Sequence, residues 1–160
     1  MIAKIFLTFM FIFASGSSMA AISVAGPFTR ATHGANGAVF GIFKNASNKP
    51  VSLTSASSVH AKKIEFHATQ EEKDPKTGQT FFKMVPQPAI LIPANGKTVL
   101  KPGGLHIMLM DLKGPLVEKE KITVDLTFDN GEHLALVVPI KAVGALDCGC
   151  QKVKDEELCQ

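Results

Sequence analysis

The sequence predicts an all-β domain, an antiparallel sandwich of Greek-key type. Three observations lead there: apolar residues recur with period two, Gly, Pro, Asn and Asp cluster at regular intervals between those runs, and no segment of ten or more residues carries a helical period. The clearest run is KITVDLTF. Its Ile122, Val124, Leu126 and Phe128 alternate with Lys121, Thr123, Asp125 and Thr127, which gives a strand one buried and one wet face. Asp129-Asn130-Gly131 supplies a tight turn, and Leu134, Leu136, Val138 and Ile140 resume the alternation, so a hairpin is expected here.

Taken in chain order, further strands are expected at 38–45 (AVFGIFKN), 51–58 (VSLTSASS), 62–68 (KKIEFHA), 80–85 (TFFKMV), 97–101 (KTVLK) and 106–112 (HIMLMDL). Between them lie NASNKP, DPKTGQ, PANG and KPGG, whose residues suit turn geometries. From about Gly144 the pattern stops, and ALDCGCQKVKDEELCQ reads as an appended polar tail.

The first twenty residues differ in kind. Lys4 precedes an apolar run from Ile5 to Ala14, and Ser18-Met19-Ala20 closes it with small residues at the right spacing, the layout of a cleaved secretory signal. That run is too short for a stable membrane anchor, and no second apolar stretch of the required length follows. No cysteine stands where a lipid would be attached, so a lipid anchor is not expected. The expected organisation is a signal peptide at 1–20, one β-sandwich domain at 21–143 and a cysteine-containing tail at 144–160. Export to the periplasm follows, with no stable membrane insertion after cleavage. About 140 mature residues are enough to bury one core without staples.

Charge and composition exclude some functions. The formal charge of +3 drops by one, to +2, when Lys4 leaves, and the basic residues are scattered, which excludes a nucleic-acid partner. No nucleophile, base and orienting acid stand in a recognisable context, so an enzyme is not expected. All three cysteines, Cys148, Cys150 and Cys159, fall in the last thirteen residues. In an oxidising compartment this odd count leaves at least one thiol unpaired within the chain. The tail thiols could hold a soft metal, serve a partner or close a disulfide with Cys159.

The candidate chemistry lies in LHIMLM. On a strand, Leu105, Ile107 and Leu109 face the core, and His106, Met108 and Met110 face the other way. Met1, Met10 and Met19 belong to the leader, so the mature chain keeps only Met84, Met108 and Met110, two of them beside a histidine. Thioether sulfur is a soft, uncharged donor suited to Cu(I), and imidazole suits copper in either oxidation state. Zinc prefers Cys, His and carboxylate, and calcium needs oxygens. His33, His60 and His133 lie near turns and read as surface residues.

These residues carry a resemblance. EFH (His67), FKMVP (Met84), the twenty-one residues 85–105, and then His106-Ile107-Met108 are similar to the pattern of periplasmic copper chaperones of the PCu(A)C family; the run Ile92 to Lys113 is the most similar, and the likeness extends from about Ile22 to Ala142. The resemblance implies a cupredoxin-like sandwich that binds Cu(I) through His67, Met84, His106 and Met108. It also implies an exposed rim site and delivery to the CuA site of cytochrome c oxidase, either directly to the copper-bearing subunit or through a thiol-bearing assembly protein. Two departures stand out. Sixteen residues, not about ten, separate His67 from Met84, and Thr69 stands where a methionine often follows the histidine. The surplus falls in the turn-rich EEKDPKTGQ, where a longer loop costs little. Copper storage or tolerance, electron transfer and a metal-free structural sandwich are the competing functions. A blue-copper centre would need a cysteine among its strand ligands, and none lies near His106-Ile107-Met108.

Overall fold

The computed structural model describes residues 21–144, together with the backbone of 150–153 and 156–159. The expected signal peptide at 1–20 and Cys148 lie outside the described residues.

Twelve strands occur among the described residues, and no helix. They are β1 (Ile22–Arg30), β2 (Gly37–Asn45), β3 (Val51–Ser57), β4 (Ala61–Lys73), β5 (Thr80–Gln87), β6 (Ile90–Ile92), β7 (Lys97–Leu100), β8 (Leu105–Leu112), β9 (Lys121–Phe128), β10 (His133–Lys141), β11 (Cys150–Val153) and β12 (Glu156–Cys159). Hydrogen bonding runs β5-β4-β8-β2-β1-β10-β9-β3-β6, with β7 added beside β2. Sequential hairpins (β1–β2, β4–β5, β9–β10) alternate with long-range neighbours (β2–β8, β4–β8, β3–β9). One pair departs from the antiparallel expectation: β1 and β10 run parallel over Thr29↔Ile140 and Arg30↔Lys141, and this short seam joins the two layers.

The inward residues of both layers form one core. Val39, Phe43, Ile107 and Leu109 from one layer meet Leu53, Val124, Leu126 and Val138 from the other. Burial in β9 alternates strictly, as its sequence requires, and the turn after it closes with Gly131 at positive φ.

Four strands escaped the sequence pattern: β11 and β12, in the stretch read as a polar tail, and β1 and β6 in the main sheet. In β1, Gly26 and Pro27 interrupt the alternation, and the strand absorbs them as a bulge between Ala25 and Phe28. Gly41, opposite this bulge, leaves little room for a side chain: a Cβ there would come within 3.2 Å of the Pro27 Cα and of Val24 Cγ1. β6 is only three residues long and is hemmed in by Pro88 and Pro93.

The surplus between His67 and Met84 lengthens a hairpin. β4 pairs with β5 from Phe66↔Gln87 out to Lys73↔Thr80, but β8 accompanies β4 only as far as Ala68↔Leu105. Gln70–Lys73 and Thr80–Lys83 therefore project as a two-stranded arm that exposes Phe82 (71%). At its tip Asp74 Oδ1 accepts the Lys76 and Thr77 amides, which holds the Asp74 carboxyl below its usual pKa.

Candidate metal centre

Strand register assembles the site. His67 on β4 is the Cα partner of His106 on β8, Met108 is opposite Glu65, and Met84 on β5 is opposite Thr69. Cross-strand partners and alternate residues share a face, so His67, Met84, His106 and Met108 all lie on one face of three adjacent strands. Hairpin register explains why the long spacing does no harm. Residues inserted beyond the Thr69↔Met84 pair extend the arm outward and leave that pair in place.

Met84, His106 and Met108 line one cavity of about 330 Å³, with Arg30, Thr32, Phe40 and Thr69 among its other walls. His67 is not on the cavity wall. It stands behind His106, with ring centroids 5.9 Å apart. Met110 is opposite Lys63, four residues along β8 from His106 and about 13 Å away at strand rise; it does not line the cavity.

Burial differs among the four. Met84 is 55% exposed on its edge strand and Met108 is half-buried, but His67 (9%) and His106 (4%) are buried. Only the methionine side thus matches the expected exposed rim. A small aromatic group explains the buried side. Phe28 and Phe40 stack at 5.2 Å, and the Phe40 ring lies 6.3 Å from that of His106, with the Arg30 guanidinium over Phe40 and the Lys141 ammonium over Phe28. His106 therefore has a packing role on this face that the sequence pattern did not show.

Hydrogen bonds orient both imidazoles. His106 donates Nδ1–H to the Gly104 carbonyl at 3.0 Å, which leaves the lone pair on Nε2. Gly104 closes the turn before β8, its amide donating to the Lys101 carbonyl at 3.0 Å, and its own carbonyl accepts from the ring two residues on. His67 donates Nε2–H to Glu65 Oε2 at 2.8 Å, which leaves its lone pair on Nδ1, and that atom is buried with no hydrogen-bond partner. Histidines that ligate metals characteristically donate the other ring N–H to a carboxylate or a carbonyl, which sets the tautomer. Both histidines here do so. Two neutral imidazole lone pairs and two thioethers make a soft, uncharged donor set suited to a cuprous ion. Among the described residues no cluster of three His, Cys, Asp or Glu side chains offers a harder alternative.

Glu65 was missed by sequence reasoning. The available signal was its position two residues before His67 on an alternating strand, which places both on one face. Its carboxyl is held below the ordinary range, first by the Lys63 ammonium and then by His67. A lowered carboxyl pKa stabilises the fold above the unfolded value, and the benefit disappears as pH falls through the folded value. Glu65→Gln should therefore match the wild type at acidic pH and fall slightly below it at neutral pH, because an exposed pair contributes little. Urea midpoints across pH check this; a gap that widens toward acid would contradict it.

Comparison with known proteins gives concordant results. The profile of the LpqE-like family, described as "Putative lipoprotein LpqE-like", matches residues 22–140. A protein of Leifsonia xyli subsp. xyli, named "Putative lipoprotein Lxx21020", is 32% identical over 126 residues, covering 79% of this chain and 73% of its own length. Among solved structures, the copper-bound PCuAC domain from PmoF2 superposes with a TM-score of 0.63 at 18% identity, over 77% of this chain and 94% of that domain. The solution structure of CuI-DR1885 from Deinococcus radiodurans gives 0.54 at 26% identity, over 80% and 85%. The fold is thus the cupredoxin-like β fold of PCuAC domains.

Proposed function

Since the chain belongs to the LpqE-like family, we propose that it is an exported copper carrier that binds one Cu(I) through His67, Met84, His106 and Met108. The observation that carries this reading is the pair of oriented imidazoles, each with one N–H donated to the protein and one lone pair left over, beside two thioethers on the same face. The 26% identical DR1885, whose Cu(I) form has been solved, supports the choice of ion. The lipoprotein description of the family and the leader-like first twenty residues both favour export.

The donor set suits carriage more than storage. All four ligands are neutral, so the bound ion keeps its single charge and binding needs no deprotonation of a thiol or carboxylic acid. Met84 stands on an exposed edge strand, where an incoming thiolate or thioether can replace it while the buried imidazoles still hold the ion. The recipient is the CuA site of cytochrome c oxidase, reached directly or through a thiol-bearing assembly protein; this step rests on the resemblance to PCu(A)C chaperones. Electron transfer of the blue-copper kind is disfavoured, since residues 21–144 contain no cysteine.

The test separates this centre from the tail. The mature chain carrying Cys148→Ser, Cys150→Ser and Cys159→Ser should still bind one equivalent of Cu(I), read by competition with a chromophoric Cu(I) chelator. Complete loss of binding would assign the metal to the thiols and reject the His and Met set.

A further inference from the structure

Among the described residues β5 is the last strand on its side of the sheet, and the pairs around it fix where its main-chain groups point. Thr69 donates its N–H to the Gly104 carbonyl, on the β8 side of β4, so Thr69 and Met84 face each other as a pair without mutual hydrogen bonds. The Asp74 amide donates to the Gln79 carbonyl across the arm at 2.8 Å, which fits the same alternation. The N–H and C=O of Thr80, Phe82 and Met84 therefore point away from β4. Pro86 falls in the same outward set, where its missing N–H costs no bond to β4.

Free edges are usually guarded by lysines, inturned charges or short length. Here the one charged side chain of β5, Lys83, reaches back to Glu72 on β4 at 3.7 Å. Phe82 and Met84, both exposed, alternate onto the face that carries His106 and Met108. Met84 is thus both a wall of the metal cavity and an open hydrogen-bonding position. At about 330 Å³ the cavity reaches the range of small-molecule pockets, more than a bare ion fills, so it has room for a donor side chain from outside.

We propose that the free edge of β5 docks the copper-exchanging partner by strand addition. An extended segment of that partner pairs with Phe82 and Met84, setting an apolar residue opposite Phe82 and a cysteine or methionine opposite Met84. Opposed side chains have Cβ atoms about 4.5–5.5 Å apart, so the incoming sulfur arrives beside the Met84 thioether. With cysteine, the thiol proton goes to solvent, the thiolate binds the ion and the Met84 sulfur leaves; copper stays Cu(I) throughout. The exchange role rests on the carrier function proposed above. A second copy of the chain fits the edge less well. Self-pairing centred on Lys83 opposes two ammonium groups, centred on Met84 it sets Phe82 against Pro86, which has no N–H, and centred on Phe82 it sets Met84 against Thr80, with no soft donor.

Two measurements on the mature chain carrying Cys148→Ser, Cys150→Ser and Cys159→Ser test the proposal. The probes are acetyl-Glu-Thr-Val-Thr-Cys-Thr-Val-Thr-Glu-amide, whose valines and cysteine share one face, and its serine analogue. In the copper-free protein the serine peptide should shift the Phe82 and Met84 amide resonances and slow their exchange with water. No shift, or shifts centred on β6 at the other end of the sheet, overturns the docking edge. Shifts that appear on concentrating the protein without peptide overturn it in favour of a second copy. In the Cu(I)-loaded protein, transfer to the cysteine peptide should be saturable. Phe82→Pro, which removes an outward N–H, should transfer roughly tenfold more slowly than Phe82→Ala, which removes only the ring, with Cu(I) affinity against a chelator unchanged in both. Equal rates in the two variants overturn the proposal. A chain whose amides shift but which takes up no Cu(I) rejects the carrier reading and the exchange role, and leaves strand docking standing. The amide shifts decide the edge even where Phe82→Pro does not fold.

Discussion

Met84→Leu should lower the Cu(I) affinity of the His and Met centre by roughly a hundredfold while leaving the melting temperature of the metal-free protein unchanged; even supporting residues around metal sites cost 10–100-fold when removed. Leucine keeps the volume and apolar character of methionine but has no sulfur donor, and the exposed edge-strand position of Met84 tolerates the exchange. His106→Ala should weaken binding at least as much. It also removes a ring packed against Phe40, so some loss of stability accompanies it, and Met84→Leu is the cleaner variant. Both are best made with the three tail cysteines replaced by serine, so that the titration reads one centre. An affinity unchanged in both variants would show that these side chains do not hold the ion.

The second large effect separates the two faces of β8. Leu109→Ala should destabilise the fold by about 3 kcal/mol, within the range for large-to-small core substitutions, and lower the melting temperature by roughly 10 °C. Leu109 is fully buried between the layers, cross-strand from Gly37 and Ile64. Met108→Leu, one residue away on the opposite face, should change stability by less than about 1.5 kcal/mol while reducing Cu(I) affinity. Thermal melts of the two metal-free variants, paired with Cu(I) titrations, check the contrast. A Met108→Leu variant as unstable as Leu109→Ala would mean that Met108 belongs to the core and not to the site.

Particular residues show how far periodicity reaches. In β9 and β10 every inward position was legible, because alternating burial writes itself directly into alternating polarity. The same rule separated Ile107 and Leu109 from His106 and Met108 on β8. It failed on β1, where the Gly26-Pro27 bulge breaks the period, and on β6, which is too short to show one. The three cysteines were visible as a cluster, but their sequence spacing could not single out Cys150 and Cys159 as opposed partners.

Local sequence alone decided the strand-rich class, the faces of β8 and the soft character of the donor set, since these depend on side-chain chemistry and a two-residue repeat. Tertiary pairing decided the rest. The β4–β8 and β4–β5 registers bring His67, His106 and Met84 to one face of the sheet across 39 residues of chain, and they turn a surplus of inserted residues into a projecting arm. The Gly104 carbonyl and the Glu65 carboxylate then select which nitrogen of each imidazole keeps its lone pair. Burial of the His106 ring beside Phe40 follows from packing across β2 and β8, and the His67 ring is buried 5.9 Å from that of His106. Hydrogen-bond registers between distant strands are set by the whole sheet closing around one core, and no window of neighbouring residues contains that information.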